Sequence, residues 1–359
     1  MHHATAMPLH GGRAPRWLFH RMARLAGAIS EVIIDDLGPD EMVRRLADPN
    51  WFQALSCAIG YDWHSSGTTT VTVAAVREAL NDSGEVFVAG GKGKAGMKTP
   101  EDIARGVDLL SIPAQAGDFK EKSRLAAKTD SALIYDGIGI YHHAFIFSRS
   151  KKWAVVQQGM FKDNGTSVRF QWFSDEVDEL DMFNEPHSGL GSSVRLTTLD
   201  LTSTDNSWAR QPPSEAIDQY MRIMEHGYPD RHHIIPEIDL SARAREAIRR
   251  ADDLDPSDYR ELVLTKGVGR STLRSLAFVS SLIYGRELAY RDPVAYAYNL
   301  GGKDRIPFEI NRGVYDSIAE SLEQIIDASR LDSGEKYGAL RRLSKVMERS
   351  ATANNTAAK

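Results

Sequence analysis

Two sets of residues in this chain could do chemistry: one suited to gripping phosphate, the other to moving protons or holding a metal. The first is densest in Leu262-Val-Leu-Thr-Lys-Gly-Val-Gly-Arg-Ser-Thr-Leu-Arg-Ser-Leu-Ala277. Gly267 and Gly269, either side of Val268, can take positive φ or admit a close backbone at little steric cost. Leu273, Leu276, Ala277 and Leu282 fall near helical spacing, so a helix is expected just after the glycines, capped by Ser271 or Thr272. Its free N–H groups would form an anion site, with charge added by Lys266, Arg270 and Arg274. The plainer alternative is a glycine-containing connection within a helical domain. The second set comprises Asp62, Asp130, Asp136 and Glu185, in polar loops or near expected strand ends, with His64, His187 and Gln158. Two or more such carboxylates on Mg2+ or Mn2+ would activate water for phosphodiester cleavage. His64, beside Asp62 and the hydroxyl-rich run Ser65-Ser-Gly-Thr-Thr-Thr70, suits acid–base work or phosphate contact. Each carboxylate taken singly reads more readily as a cap or a solvated residue than as a metal ligand.

A further loop, Gly90-Gly-Lys-Gly-Lys94, follows an expected strand and offers Lys92 and Lys94 to a phosphate. It lacks the spacing of a nucleotide-binding P-loop, so it reads as a basic grip on phosphate or, equally, as a solvated mobile loop, rather than as part of a nucleoside triphosphatase. The Leu262–Ala277 stretch, with its apolar-x-x-x-Gly-Val-Gly-x-x-Thr pattern, resembles the helix-hairpin-helix motif of DNA repair proteins and nucleases. That resemblance implies contact with the DNA backbone whatever the sequence. In glycosylases that carry the motif, an Asp about twenty residues past the hairpin serves the sugar chemistry. Asp292 lies 23 residues past Gly269, but Pro293 follows it, and Ser271 stands where such enzymes often carry Lys.

The elements that must position these residues are bounded by composition. A chain of 359 residues, 42% hydrophobic and 26% charged, has room for two domains with proper cores. Its net charge of −5 is no nucleic-acid signature, but between Ser257 and Lys303 seven basic residues face four acidic ones, +3 locally. No apolar run approaches a membrane span, no secretory leader is evident, and Cys57 alone permits neither an internal disulfide nor a cysteine-rich zinc site. A cytoplasmic, nucleoid-associated protein is expected, with no membrane partner.

Along the chain, residues 1–30 read as an irregular basic arm followed by an amphipathic helix anchored in the core by Trp17. Helices are expected near 39–47, 73–80, after Thr99-Pro100, and over 119–131. Strands are expected at Val86–Ala89 and, with period two, at Ala144–Ser148, Trp153–Gln157 and Val168–Phe173. On such a strand His142 and His143 must point to opposite faces. The fold class is therefore α+β. An N-terminal mixed domain with an antiparallel meander covers 1–205, and 206–240 form a linker with one helix. A helical DNA-binding domain covers 241–350, its hairpin at about 257–284, and 351–359 form a disordered tail.

Four strings, Pro8-Leu-His-Gly-Gly-Arg-Ala-Pro-Arg-Trp-Leu18, Asp62-Trp-His-Ser-Ser-Gly-Thr-Thr69, Gly90-Gly-Lys-Gly-Lys94 and Val155-Val-Gln-Gln-Gly-Met160, carry a second resemblance. Through them the chain is similar, nearly end to end, to a prokaryotic family catalogued as domain of unknown function 763, which implies no particular reaction. The expectation is DNA binding in repair or processing, with metal-dependent cleavage by the N-terminal domain as the enzymatic form. The alternatives are a non-catalytic adaptor that joins DNA to a protein partner, or a glycosylase using Asp292.

Overall fold

The near-continuous apolar runs Val86–Ala89, Ala144–Phe147 and Trp153–Val156 suit strands covered on both faces rather than one. They form the centre of the fold. In chain order the elements are β1 (His2–Pro8), α1 (Arg16–Leu37), α2 (Pro39–Ala47), α3 (Pro49–Ile59), α4 (Ser66–Leu80), β2 (Val86–Lys92), α5 (Lys94–Met97), α6 (Thr99–Leu109) and α7 (Ala116–Lys128). A single π turn (Thr129–Leu133) then leads to β3 (Gly139–Ser148), β4 (Trp153–Phe161), β5 (Thr166–Phe173) and β6 (Thr198–Leu199). Next come α8 (Pro213–His226), α9 (Ala242–Leu254), α10 (Tyr259–Leu264), α11 (Arg270–Tyr284), β7 (Tyr290–Arg291) and α12 (Arg312–Ala328). A last helix, α13, covers 333–343. This computed structural model describes residues 2–8, 15–61, 66–135, 138–161, 166–178, 182–183, 198–210, 213–226, 242–291 and 312–343.

The sheet runs β1-β5-β4-β3-β2 with every neighbouring pair antiparallel. The fold is α+β. Strand alternation sends Phe87, Phe145, Phe147, Trp153, Val155 and Trp172 into a core with α6–α11. The intervening residues, among them Val88, Ala144, Ile146 and Val156, enter a second core with α1–α4, α12 and α13. Helix starts follow local chemistry. Asp48 caps α3 by accepting from Asn50 N at 2.8 Å and Trp51 N at 3.0 Å, and α2 opens with Pro39 and two acids in its first turn.

Several expectations change. Residues 2–8 pair with β5 as an edge strand instead of forming an irregular arm. Trp17 is 64% exposed and anchors nothing, because the buried stripe of α1 begins one turn later at Met22. Gly90–Lys92 continue β2, paired with His142–Ala144, so the glycine-rich loop starts inside the sheet. Tyr290–Arg291 form a short ladder with Thr198–Leu199 in a stretch expected to be helical. The cores divide the chain by sheet face rather than by position: the first joins residues from Phe87 to Leu288, so a boundary near 205 runs through it. Helices α12 and α13 return to α1 and α3, where Arg330 pairs with Glu31 at 2.9 Å and Arg342 donates to Ala58 O at 2.8 Å. No helix among the described residues is long and apolar enough to cross a membrane.

Packing is tight where α6 crosses the sheet. A Cβ on Gly106 would lie 2.4 Å from Phe87 Cδ1 and 2.7 Å from Phe147 Cζ, both buried aromatics that cannot retreat. Gly106→Ala is therefore expected to destabilise the chain by about 1–3 kcal/mol despite improving helix propensity. A lowered urea midpoint at unchanged m-value would register it; an unchanged or raised midpoint would contradict this packing.

Candidate nucleic-acid interface

The turn between α10 and α11 is assembled by local capping and then clamped from outside. Asp258 caps α10, accepting from Glu261 N at 2.9 Å, while the Glu261 carboxylate accepts from Ser257 N at 2.8 Å. The helix ends as Thr265 N bonds Glu261 O at 3.0 Å, and Val268 N closes the turn onto Thr265 O at 3.2 Å. Gly267 holds φ +95°, a conformation that favours glycine. Val268 is buried among Leu262, Val263, Leu273 and Leu276, so the tip of the turn is a plug in the core and offers no side chain to a ligand. Gly269 is the N-cap residue of α11 and provides no side-chain cap, which corrects the expected cap at Ser271 or Thr272.

Carbonyls left over where α10 ends and the turn begins must find donors. Arg124 donates to Leu264 O at 3.2 Å, Arg250 Nη1 to Lys266 O at 3.2 Å, and Lys128 Nζ to Val268 O. The Tyr135 hydroxyl donates to Arg270 O. The clamp therefore gathers cations. Burial, then the nearby Arg124 and Arg243, hold the Lys128 ammonium below its ordinary range, as expected in a locally positive field. Between α9 and the start of α11 lies a cleft of about 230 Å³, lined by Arg243, Gly267, Gly269, Arg270, Ser271 and Thr272. Lys266, Gly267, Ser271 and Arg243 are exposed around it.

Two expected phosphate contacts are committed elsewhere. Arg270 turns inward, donating from Nε to Ser131 O at 3.0 Å and from Nη2 to Ile138 O at 2.7 Å, so it ties the hairpin to the π turn and the start of β3. The Arg274 guanidinium lies over the rings of Tyr135 and Phe278, at 5.7 and 5.6 Å. Arg243, Arg124 and Lys128 take over as the local cations, and no sequence signal marked them. They lie on α9 and α7, brought to the turn only by tertiary packing.

Lys92 and Lys94 are exposed at the end of the sheet where β2 finishes and β3 begins, the end that Arg270 also grips through Ile138. Their turn is rigidly made. Gly90, at φ +87°, leaves no room for a Cβ, which would meet Thr99 Oγ1 at 2.3 Å and His143 O at 2.4 Å. Thr99 is not the cap of α6; it donates back to Gly96 O at 2.7 Å.

The expected catalytic set does not form one site among the described residues. Asp130 is buried on the α7 face, accepting from the Gln157 amide and from Trp172 Nε1 at 2.9 Å. Gln158 is buried on the opposite face, donating to Ser66 O at 2.8 Å and to Tyr141 and accepting from Thr69 at 2.5 Å. Adjacent strand residues alternate faces, so the sheet itself separates these two. Asp62, His64, Asp136, Glu185, His187 and Asp292 lie outside the described residues. Ser66, the first described residue after His64, sits on Gln158, and Tyr135 and Ile138, on either side of the Asp136 segment, both touch Arg270. Among the described residues no group of three or more His, Cys, Asp or Glu side chains is gathered for a metal. His143 joins a buried relay: Nδ1 donates to Gln157 Oε1 at 2.9 Å, leaving Nε2 to accept from the Ser123 hydroxyl at 2.8 Å. With Ser123 2% exposed, the relay satisfies polar groups in the core instead of presenting a nucleophile.

A family described as Protein of unknown function (DUF763) matches residues 3–310. The chain belongs to this DUF763 family. The matched span takes in the sheet and the α10–α11 turn together and stops short of α12. No curated protein and no solved structure matches the chain.

Across the sheet from His143, burial, then His143 and Lys92, pull the His142 imidazole from 6.5 down to about 3. Burial lowers His143 as well, partly offset by Gln157 and Asp130. Both rings are neutral when folded and take up protons more readily when unfolded. Stability is thus complete above about pH 6.5 and falls as pH drops below it, by up to about 1.4 kcal/mol per pH unit for each ring. The urea midpoint should drop between pH 7 and 5, and His142→Gln should flatten that slope; a parallel profile in the variant would refute the assignment.

Proposed function

We propose that the chain binds the phosphate backbone of nucleic acid, DNA foremost, through the cleft at the start of α11, in repair or processing of the nucleoid. The observation that carries this reading is the bare N-cap at Gly269. The Gly269 N-cap supplies no side-chain cap to this 15-residue helix, and its first residues, Arg270 to Thr272, line a cleft together with Arg243. Backbone N–H groups and flexible cations read phosphates and not base edges, so contact independent of sequence follows. A chain of net charge −5 binds this way only through a local patch, and steeply less at high salt. The helix–turn–helix with two glycines supports the helix-hairpin-helix resemblance.

The proposal is a grip and needs no catalytic group, as suits an adaptor. Hydrolysis on Mg2+ or Mn2+ would draw on Asp62, His64, Asp136 and His187, and no specific observation favours it.

Gly269 permits a clean test. Its backbone is extended, at φ −153°, and a Cβ there meets nothing within 4 Å. Gly269→Asp should place a carboxylate where an N-cap belongs, holding or raising Tm while filling the anion site with negative charge. Duplex affinity at low salt should fall about tenfold or more for any sequence, and Lys266→Ala with Arg243→Ala should reduce the salt slope by about 2. Unchanged affinity in Gly269→Asp would overturn the proposal.

A further inference from the structure

The start of α1 presents an aromatic ring to solvent among cations. Trp17 is 64% exposed. Arg21 and Arg24 follow it at i+4 and i+7 and share its crest, while the buried stripe of Met22, Leu25, Ala26 and Ile29 takes the opposite side of the helix. Arg24 is committed to α13, where it pairs with Glu335 and, at 3.7 Å, with Asp332. Arg16 and Arg21 are exposed, and their guanidinium groups have no ion-pair or hydrogen-bond partner among the described residues.

The neighbouring elements add charge of the same sign and none of the opposite. A Cβ on Gly60, at the end of α3, would lie 3.8 Å from Leu18 Cδ1 and 3.9 Å from Arg342 Nε, so the end of α13 sits beside the start of α1. Arg341 is exposed there and likewise unpaired among the described residues. No carboxylate occurs in α1 before Glu31, in α3, or in α13 beyond Glu335. Three unpaired guanidinium groups and an open indole therefore gather at one corner of the molecule with no acid among them. Unneutralised charge of one sign favours a polyanion. The apolar part of this surface is a single ring edged by Arg16, His20 and Arg21, whereas a protein interface is built on a contiguous, largely uncharged core. One flat ring flanked by cations matches a nucleotide instead: the base stacks on the ring and the phosphates meet the guanidinium groups. Arg16 and Arg21 are about 7.5 Å apart along the helix axis, within reach of the phosphates on either side of one stacked base.

We propose that the start of α1 is a docking surface for single-stranded nucleic acid, with an unpaired base stacked on Trp17 and its flanking phosphates held by Arg16 and Arg21. Arg341 adds to the attracting field. A base inside a duplex has both faces stacked already, so this surface selects unpaired strand. Helix α1 packs in the core on one face of the sheet and α11 in the core on the other, so the surface is separate from the α11 cleft and stands whether or not that cleft binds duplex. The two differ in what they read: the cleft meets phosphates alone, whereas Trp17 requires a base.

Fluorescence anisotropy of the full chain with a labelled oligothymidylate, and with a strand of the same length made of abasic sites, tests this. Tighter binding of the thymidine strand is expected at low salt. Trp17→Ala should weaken that binding about tenfold while leaving the abasic strand unchanged, and Trp17→Phe should keep most of the preference. Because the ring is largely exposed, Tm should not move in either variant. Arg16→Ala with Arg21→Ala should weaken both strands and lower the salt slope by about 1.4, the value for two phosphates of a single strand. Gly269→Asp should retain the preference for thymidine over abasic strand, which separates this surface from the hairpin cleft. Equal affinity for the two strands would overturn the proposal, as would a preference that persists in Trp17→Ala or disappears in Gly269→Asp. A change of sedimentation mass in Trp17→Ala with the preference intact would do the same, identifying a second copy of the chain as the occupant.

Discussion

An antiparallel sheet buried on both faces is the constraint from which the rest of this structure follows. Helices cover each side, so residues in the middle of β3, β4 and β5 must suit one of two interiors, and a polar residue there is enclosed whichever way it points. Each then needs a partner on its own side. Asp130, Gln157, His143, Ser123 and Trp172 satisfy one another on the α7 face, whereas Gln158 and Gln171 bond to α4 and α2 on the other. The same alternation separates Asp130 from Gln158, although their residue types suggested a common role.

The α10–α11 turn depends on that sheet for its position. Its buried Val268 provides the packing, and its carbonyls are met by Arg124, Lys128, Arg250 and Tyr135 from α7, α9 and the segment before β3. Arg270 reaches the other way, to the backbone of Ser131 and Ile138. Structural demand and local electrostatics are therefore coupled. Basic side chains recruited to satisfy orphan carbonyls also leave a positive surround for the bare helix N-terminus. That coupling lets a protein of net charge −5 keep a locally cationic cleft.

Most of the scaffold was legible from residue order. The period-two runs located β3, β4 and β5, and Gly267 located the turn, because alternation and positive φ are local properties of the chain. The edge strand His2–Pro8 and the Tyr290–Arg291 ladder were not, since their pairing partners lie far away in sequence. Trp17 misled because a helix stripe shows which residues can be buried but not where the helix begins to touch its neighbour.

The sequence by itself determined the α+β class, the meander, the two-glycine turn and the opposite facing of His142 and His143, all consequences of backbone preference and short-range periodicity. Tertiary structure alone decided which cations serve the turn. It drew Arg270 and Arg274 inward, brought Arg243 to the cleft and Lys128 to the turn, and set Lys92, His142, Gln158 and Arg169 in one row. Long basic side chains go wherever a carbonyl or ring accepts them, and strand register is fixed by pairing across the sheet. Neither is a property of neighbours in the chain.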